Sequence, residues 1–349
     1  MRAITLLPGV PNSAKLEDIP EPPESQGSVL VRTLALGVCG TDREIIAGSY
    51  GEAPRGSERL VLGHESYGEV IAAPPGGRFA AGDRIVGIVR RPDPVPCPAC
   101  AAGEWDMCSN GQYTERGIKG LHGFGSERFR IEPSYAIKVD SVLGELGVLL
   151  EPSSVVAKAW DHIERIGRRF HSWEPRRLLV TGAGPVGLLA ALMGKQRGYQ
   201  IDVLDRARDG PKPGLVLDLG AKYHVGPDDD ISGLAPDVVI ECTGAPSVLA
   251  SVLGNTAPSG IVCLAGLSGP HETIFNIGAF NKTMVLNNDV VFGSVNANRR
   301  HYEMAAKSLA DADQEWLSRI VSRRVPLSNW QEALKRRPDD IKVVIDFRL

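Results

Sequence analysis

The sequence predicts a two-domain α/β protein: an antiparallel β domain over 1–155, a doubly wound parallel-sheet domain over 156–296, and a return of 297–349 to the first domain. Three observations predict it. Short apolar runs punctuated by Gly and Pro fill the first segment. Apolar strands alternating with helical periods fill the second, which opens on a Gly-x-Gly-x-x-Gly turn. The tail ends on a short β-branched run, Ile341 to Phe347. A length of 349 residues fits about two domains.

Composition excludes several classes. Hydrophobic content of 43% and charged content of 23% describe an ordinary globular chain. A net charge of −3 leaves no electrostatic footprint for nucleic acid. No apolar run approaches the roughly 18 residues of a membrane span. The first residues are too soon interrupted, by Pro8, to read as a signal peptide, so a cytoplasmic location is expected. In a reducing compartment, clustered cysteines favour metal over disulfide.

In the first segment, strands are expected over Met1–Leu7, Val29–Leu36, Tyr67–Ala73 and Arg84–Val89. Cys39 follows the second of these and precedes a short helix, Thr41 to Ala47. His64, in Gly63-His64-Glu65, immediately precedes the third. Side chains at such ends can converge. A thiolate, an imidazole and a carboxylate can hold one zinc and leave a fourth position open for chemistry. Thr41 could place a hydroxyl beside that position; N-capping of the helix is its plainer role. Cys97-x2-Cys100 followed by Cys108 is a strong zinc spacing with three thiolates, whereas structural zinc takes four ligands. Asp93 is the nearest further donor. The alternative is a lobe without metal, stiffened by its prolines.

A helix is expected over Ser153–Arg169, with Glu151-Pro152 just before its start. Glu151 is either a ligand or a helix-start charge that complements the dipole. The run Arg177–Thr181 then leads into Gly182-Ala183-Gly184-Pro185-Val186-Gly187 and a helix. A second strand, Tyr199–Leu204, ends on Asp205. This is the context a dinucleotide fingerprint requires. Gly182 permits the turn, Gly184 the approach of the pyrophosphate, and Gly187 close packing of helix on strand. A carboxylate at Asp205 hydrogen-bonds the ribose and favours NAD; Arg206 and Arg208 could clamp the 2′-phosphate of NADP. Further strands are expected at Asp237–Cys242, Gly260–Gly266 and Asn288–Asn296. They leave Thr243, Gly266 and Ser294-Val295-Asn296 near the carboxyl edge, where such sheets bind ligand. Cys242 and Cys263 read as small buried core residues. In the tail, helices are expected at His301–Asp311, Trp316–Val321 and, capped, Leu327–Lys335.

Cys39 with Thr41, Gly63-His64-Glu65, the Cys97/Cys100/Cys108 lobe, Gly82-Asp83-Arg84-Ile85-Val86 and the late Gly-rich turn together resemble the zinc-dependent medium-chain alcohol dehydrogenases. The resemblance runs the full length of the chain. Within that superfamily the chain is most similar to the glucose 1-dehydrogenase branch. The pointers are Gly40-Thr41-Asp42-Arg43-Glu44, Tyr113 to Ile118, Glu151-Pro152 and Gly293 to Asn298. The family's structural lobe usually has four cysteines, and the first is missing here.

The resemblance implies a GroES-like catalytic domain and a Rossmann domain. It implies a catalytic zinc on Cys39, His64 and Glu151, with Glu65 as an alternate or water-mediated ligand. It also implies sugar hydroxyls held by Thr41, Glu115, Glu151 and Asn296, and a homo-oligomer, dimer or tetramer. The expected reaction is zinc-assisted transfer of hydride from the C1 hydroxyl of an aldose, glucose foremost, to NAD or NADP. Thr41 would relay the proton. The alternatives are the same chemistry on another alcohol, a polyol or threonine, and a non-catalytic NAD(P)H-binding protein, which would not need the Cys39/His64/Glu151 set.

Overall fold

The computed structural model describes residues 1–226, 228–269 and 272–349. The chain divides into two compact units, Met1–Ser154 with Asn296–Leu349, and Val155–Val295.

The first unit is organised on the strand Val29–Val38, ten residues long and largely buried. It pairs antiparallel with Glu65–Ala72, with Arg128–Ile131 and with Lys342–Asp346, five residues from the chain's far end. Alternation along this strand sends Val29 and Val31 into a core shared with Ile85, Phe124, Phe129 and Ile345. The tail thus rejoins the first sheet. It does so with a strand the periodicity does not reveal: Val321–Pro326, which pairs in parallel with Lys342–Asp346. Its alternating arginines, Arg323 and Arg324, mask it as polar loop. The helix read at 316–321 is Gln314–Ile320, and the one read at 327–335 is a 3₁₀ turn followed by Trp330–Leu334, without a side-chain cap.

In the second unit six parallel strands lie in the order Lys222–Val225, Gln200–Asp205, Arg177–Thr181, Val238–Glu241, Ile261–Leu264, Val290–Gly293. Numbered along the chain this is 3-2-1-4-5-6, the doubly wound dinucleotide-binding order. The strand Lys222–Val225 and the helices Pro211–Asp218, Pro246–Val252 and Ile277–Asn287 were not expected from the sequence, their apolar periods being short. Cys263 is fully buried as expected; Cys242 falls one residue past its strand and is only half-buried.

One helix crosses the unit boundary, Leu150–Gly167. It begins three residues before the expected Ser153, because a 3₁₀ segment, Ser141–Leu149, runs straight into it. Leu149 and Leu150 are wholly buried there, so the turn is fixed by packing, and Pro152 is tolerated in the first turn, where its missing N–H costs nothing. Glu151 therefore sits inside the helix. Further along, Trp160 is fully buried; Tyr199 packs on it at a ring separation of 5.1 Å and the Arg197 guanidinium at 4.9 Å. Trp160→Ala should destabilise the protein by about 3–5 kcal/mol, read as a lower denaturation midpoint in urea at unchanged slope.

Candidate active site

Cys39 ends the central strand and caps the helix Gly40–Ile46. The Asp42 carboxylate accepts the Cys39 backbone N–H at 2.8 Å, and the Asp42 N–H in turn points at the Cys39 side chain. Thr41 is therefore not the cap; it lies in the first turn, and the Tyr50 hydroxyl hydrogen-bonds with it. His64 is pinned by the turn before Glu65–Ala72. Gly63 holds φ +95°, and a Cβ there would meet Leu36 at 2.6 Å, so the tripeptide requires its glycine.

Ligating atoms of Cys39, His64 and Glu65 lie within 4.8 Å of one another. A thiol, an imidazole and a carboxylate in that space match the donor chemistry zinc takes. His64 is 5% exposed, and its Nδ1 is 3.3 Å from Asp42 Oδ1. A carboxylate behind a ligating imidazole is the usual orienting partner. Burial pushes the His64 imidazole down, but Asp42 and the Cys39 sulfur outweigh it and hold it well above its ordinary value. A ring held so firmly in an anionic nest is one a divalent cation can replace the proton on.

Glu65 faces Lys342, whose ammonium donates to both carboxylate oxygens at 2.7 and 2.6 Å. Both side chains are almost wholly buried. The carboxylate reaches across the central strand over Gly37, where a Cβ would stand 2.0 Å from Oε2. Lys342 is invisible as a site residue in the sequence, since it lies in an apolar strand 277 residues away. Glu151 lies outside the 4.8 Å cluster but couples to it. Burial pushes its carboxyl up to about 7; His64 and Lys342 pull it down, and Glu65 pushes it up.

Glu115 and Asn296 are brought together: Asn296 Nδ2 donates to Glu115 Oε1 at 2.7 Å. Asn296 holds a left-handed φ of 62°, which asparagine tolerates. Arg90, another residue that the sequence does not single out, donates to the same oxygen from Nε at 3.1 Å, brings Nη2 within 3.0 Å of it as an ion pair, and stacks on Tyr113. Its neighbour Asn298 donates to Asp106 at 2.8 Å.

In the lobe, the sulfurs of Cys97, Cys100 and Cys108 lie within 4.8 Å of one another, and Asp93 is not part of that set. Asp93 is nonetheless close: its backbone N–H hydrogen-bonds to Cys100, and its buried Oδ2 has no hydrogen-bond partner. Backbone N–H groups of Ser109 and Cys100 pull the Cys97 thiol down to about 6, whereas burial pushes Cys100 up to about 11.

In the second unit Gly182 turns at φ +89°, and a Cβ on Gly187 would strike the Gly182 carbonyl at 1.7 Å. The Ala183 N–H donates to Asp205 Oδ2 at 2.6 Å, fixing the acidic strand end against the turn. Gly184 would accept a Cβ without contact, and Pro185 and Val186 begin the helix Pro185–Gln196. Arg206 is exposed, Arg208 pairs with Asp228, and Lys212 faces Asp205 at 3.4 Å. Glu241, fully buried, accepts from Thr181, from the Thr243 N–H and hydroxyl, and from the Gly244 N–H. Gly266 abuts the same carboxylate. Ser294 Oγ is buried without a hydrogen-bond partner, while Val295 is exposed and its carbonyl accepts from Lys158 at 2.9 Å. A bare glycine turn at a helix start, with an acidic strand end beside it, fits a dinucleotide.

Comparison with known proteins agrees with this geometry. The family model described as alcohol dehydrogenase GroES-like domain matches residues 25–141, and that described as glucose dehydrogenase C-terminus matches 144–347. Glucose 1-dehydrogenase of Thermoproteus tenax is 42% identical over the whole of both chains, and glucose 1-dehydrogenase 2 of Vulcanisaeta moutnovskia 41% identical over 99% of each. The solved glucose dehydrogenase of Haloferax mediterranei, in complex with NADP, Zn and gluconolactone, superposes with a TM-score of 0.91 at 33% identity over 99% of each chain. Two family matches that between them take in nearly the whole chain, and relatives alike from end to end, place this protein in the glucose dehydrogenase family of zinc-dependent medium-chain alcohol dehydrogenases.

Proposed function

We propose that this chain is a glucose 1-dehydrogenase that oxidises the C1 hydroxyl of an aldose, glucose foremost, to the aldonolactone. The observation that carries the reading is the Cys39/His64/Glu65 cluster, in the same unit as the Glu115–Asn296 pair. Cys39 and His64, with Glu151 or Glu65 as the carboxylate, would hold a zinc that supplies Lewis acidity to the sugar hydroxyl, and a bound nicotinamide would supply the hydride acceptor. The Thr41 hydroxyl, beside Tyr50, would accept the C1 hydroxyl proton while passing its own proton on toward solvent. The Glu115 carboxylate accepts from sugar hydroxyls, and Asn296 fixes its direction. Arg90 pairs with that buried carboxylate at 3.0 Å and holds it in place.

Asp205 favours NAD, since a carboxylate there repels a 2′-phosphate. Arg206, exposed beside it, allows NADP as a second cofactor. The three-thiol lobe holds a second zinc, and the unpartnered Asp93 oxygen is its nearest fourth donor. Six free cysteines suit a cytoplasmic protein. Metal analysis should then find two zinc ions per chain, and one in Cys39→Ala. That variant should lose turnover of glucose with either cofactor while still quenching NADH fluorescence. Zinc-free Cys39→Ala protein with full activity, or a preference for sorbitol over glucose, would overturn the reading.

The buried pair Glu65–Lys342 sets the charge at the cluster. Cys39, Glu65 and Glu151 are three anions when deprotonated; Lys342 and a divalent cation balance them. Removing one partner of such a pair costs about 3–5 kcal/mol, because the other charge stays buried alone. Lys342→Met should therefore melt well below the wild type and fall further on chelation than the wild type does. Adding Glu65→Gln should restore most of the loss. Equal melting of Lys342→Met and wild type would show the pair to be dispensable.

A homo-oligomer is the state we infer for the assembled protein. The strand Val290–Gly293 is the last in its sheet, so one backbone edge is open. The helix before it, Ile277–Asn287, buries none of its residues and exposes Ile277, Val285 and Leu286. A second copy of the chain would cover both features. Light scattering on the eluting peak should give twice or four times the mass of 37.4 kDa. A 37.4 kDa species at all concentrations would exclude it.

A further inference from the structure

The first unit holds a concavity of about 350 Å³, and none of Cys39, His64, Glu65 or Glu151 lines it. Its walls come from the paired strands Arg2–Leu6 and Lys15–Asp18 and from the segment 116–129. The residues that matter are Thr5, Glu17, Arg59, Arg116, His122 and Arg128.

The charges do not cancel. Arg59 is matched by Glu17 at 2.8 Å, and Arg128 by Glu21 at 3.0 Å. Arg116 has no such match among the described residues. Its Nη1 and Nη2 donate to the backbone carbonyls of His122 and Arg130 at 3.2 and 2.9 Å, and its Nε has no partner. The nearby Glu132 is taken by Arg91 at 3.1 Å. Arg116 is 2% exposed, and burial pushes its guanidinium down to about 9. A buried charge is ordinarily paired, because desolvation without a counter-charge is costly. Beside it, His122 Nδ1 accepts the Val61 N–H at 3.2 Å. The ring proton therefore sits on Nε2, which makes the imidazole a second donor.

We propose that this cleft binds a small polyhydroxylated carboxylate, with Arg116 and His122 on its charged end and Thr5 and Glu17 on its hydroxyls. The cleft's excess charge asks for an anion, and its hydroxyl and carboxylate lining asks for a polyol. The choice of an aldonate rests on the proposed reaction. Water adds to the C1 acyl carbon of the lactone product, the ring C1–O bond breaks, the ring oxygen leaves as a hydroxyl, and one proton is released with the carboxylate.

The cleft also backs onto the sugar-reading loop. Arg116 follows Glu115 in the short strand Thr114–Arg116, and the Phe124 N–H donates to the Gly63 carbonyl at 2.9 Å. A ligand bound there would lie against Arg116 and Gly123, the chain neighbours of Glu115 and Phe124.

The test is thermal unfolding of the full chain in potassium gluconate, against potassium chloride of equal ionic strength. A saturable rise in melting temperature is expected. It should persist in Glu115→Gln, whose sugar site is altered, and its midpoint should move up by about tenfold in Arg116→Met, as expected for loss of a charged hydrogen bond. Should Arg116→Met not fold, His122→Phe serves the same purpose. Glucose, the neutral counterpart, should give no rise that depends on His122, and inorganic phosphate a smaller one than gluconate. No rise above chloride, a rise lost in Glu115→Gln but kept in His122→Phe, or an equal rise with phosphate would each overturn the proposal. Because the readout is binding, a protein that does not oxidise glucose yet shows the His122-dependent rise would refute the proposed reaction and keep the cleft.

Discussion

The constraint on which the first unit depends is the buried ion pair between Glu65 and Lys342. It ties the strand that carries His64 to the last strand of the chain, across the strand that ends in Cys39. Gly37 lies directly opposite Glu65 in that pairing and has no side chain to block the carboxylate. The two elements that carry Cys39 and His64 are thus locked from behind by Lys342, a residue 277 positions from the Glu65 it holds. A catalytic metal needs donors held to within a fraction of an ångström, and donors on strand ends with fixed second partners meet that need better than loops do.

The same principle shapes the second unit. Glu241 has no exposed surface, yet its carboxylate gathers donors from the end of one strand, at Thr181, and from the loop after its own, at Thr243 and Gly244. An ionised carboxylate with several N–H and O–H donors is a stable arrangement in a dry interior. It sets the spacing of the Thr181, Thr243 and Gly266 segments at the carboxyl edge of the sheet, where the strand order reverses. The Asp205–Ala183 hydrogen bond does likewise for the glycine turn. Both units place a charged group behind the reactive surface, as a support for backbone whose own conformation is unfavourable alone.

This explains what can be read from the sequence and what cannot. The two-unit architecture is legible because strand and helix periods are local, and the glycine turn is legible because its spacing is a local steric demand. Cys39 and His64 are legible because both stand beside turn glycines at the mouths of apolar strands. Lys342, Arg90 and Tyr50 are not legible. A lysine in an apolar strand, an arginine after one and a tyrosine near a helix end carry no pattern until the fold brings them to Glu65, Glu115 and Thr41. The strand Val321–Pro326 is hidden for a related reason, since its half-exposed position admits arginines that a periodicity count reads as loop. Glu151 was legible as a residue type but not as a helical one, because packing of Leu149 and Leu150 sets where that helix begins.

On the proposed reading, in which Glu115 accepts from sugar hydroxyls, its supports likewise come from distant parts of the chain. A carboxylate is a strong acceptor for vicinal hydroxyls, and its direction must be fixed for it to select among them. Arg90 and Asn296 fix it by engaging one oxygen, Oε1. Among the described residues, the hydrogen bonds from Arg90 and Asn296 to the Glu115 carboxylate thus converge on a single oxygen. An alcohol lacking a hydroxyl at the matching position would leave the other acceptor of a desolvated carboxylate unmatched, and an unmatched buried group is penalised far more than a matched one is rewarded. On that proposed reading, discrimination between a polyhydroxylated substrate and a simple alcohol resides in Glu115 and its two partners, and not in the donor cluster at Cys39 and His64.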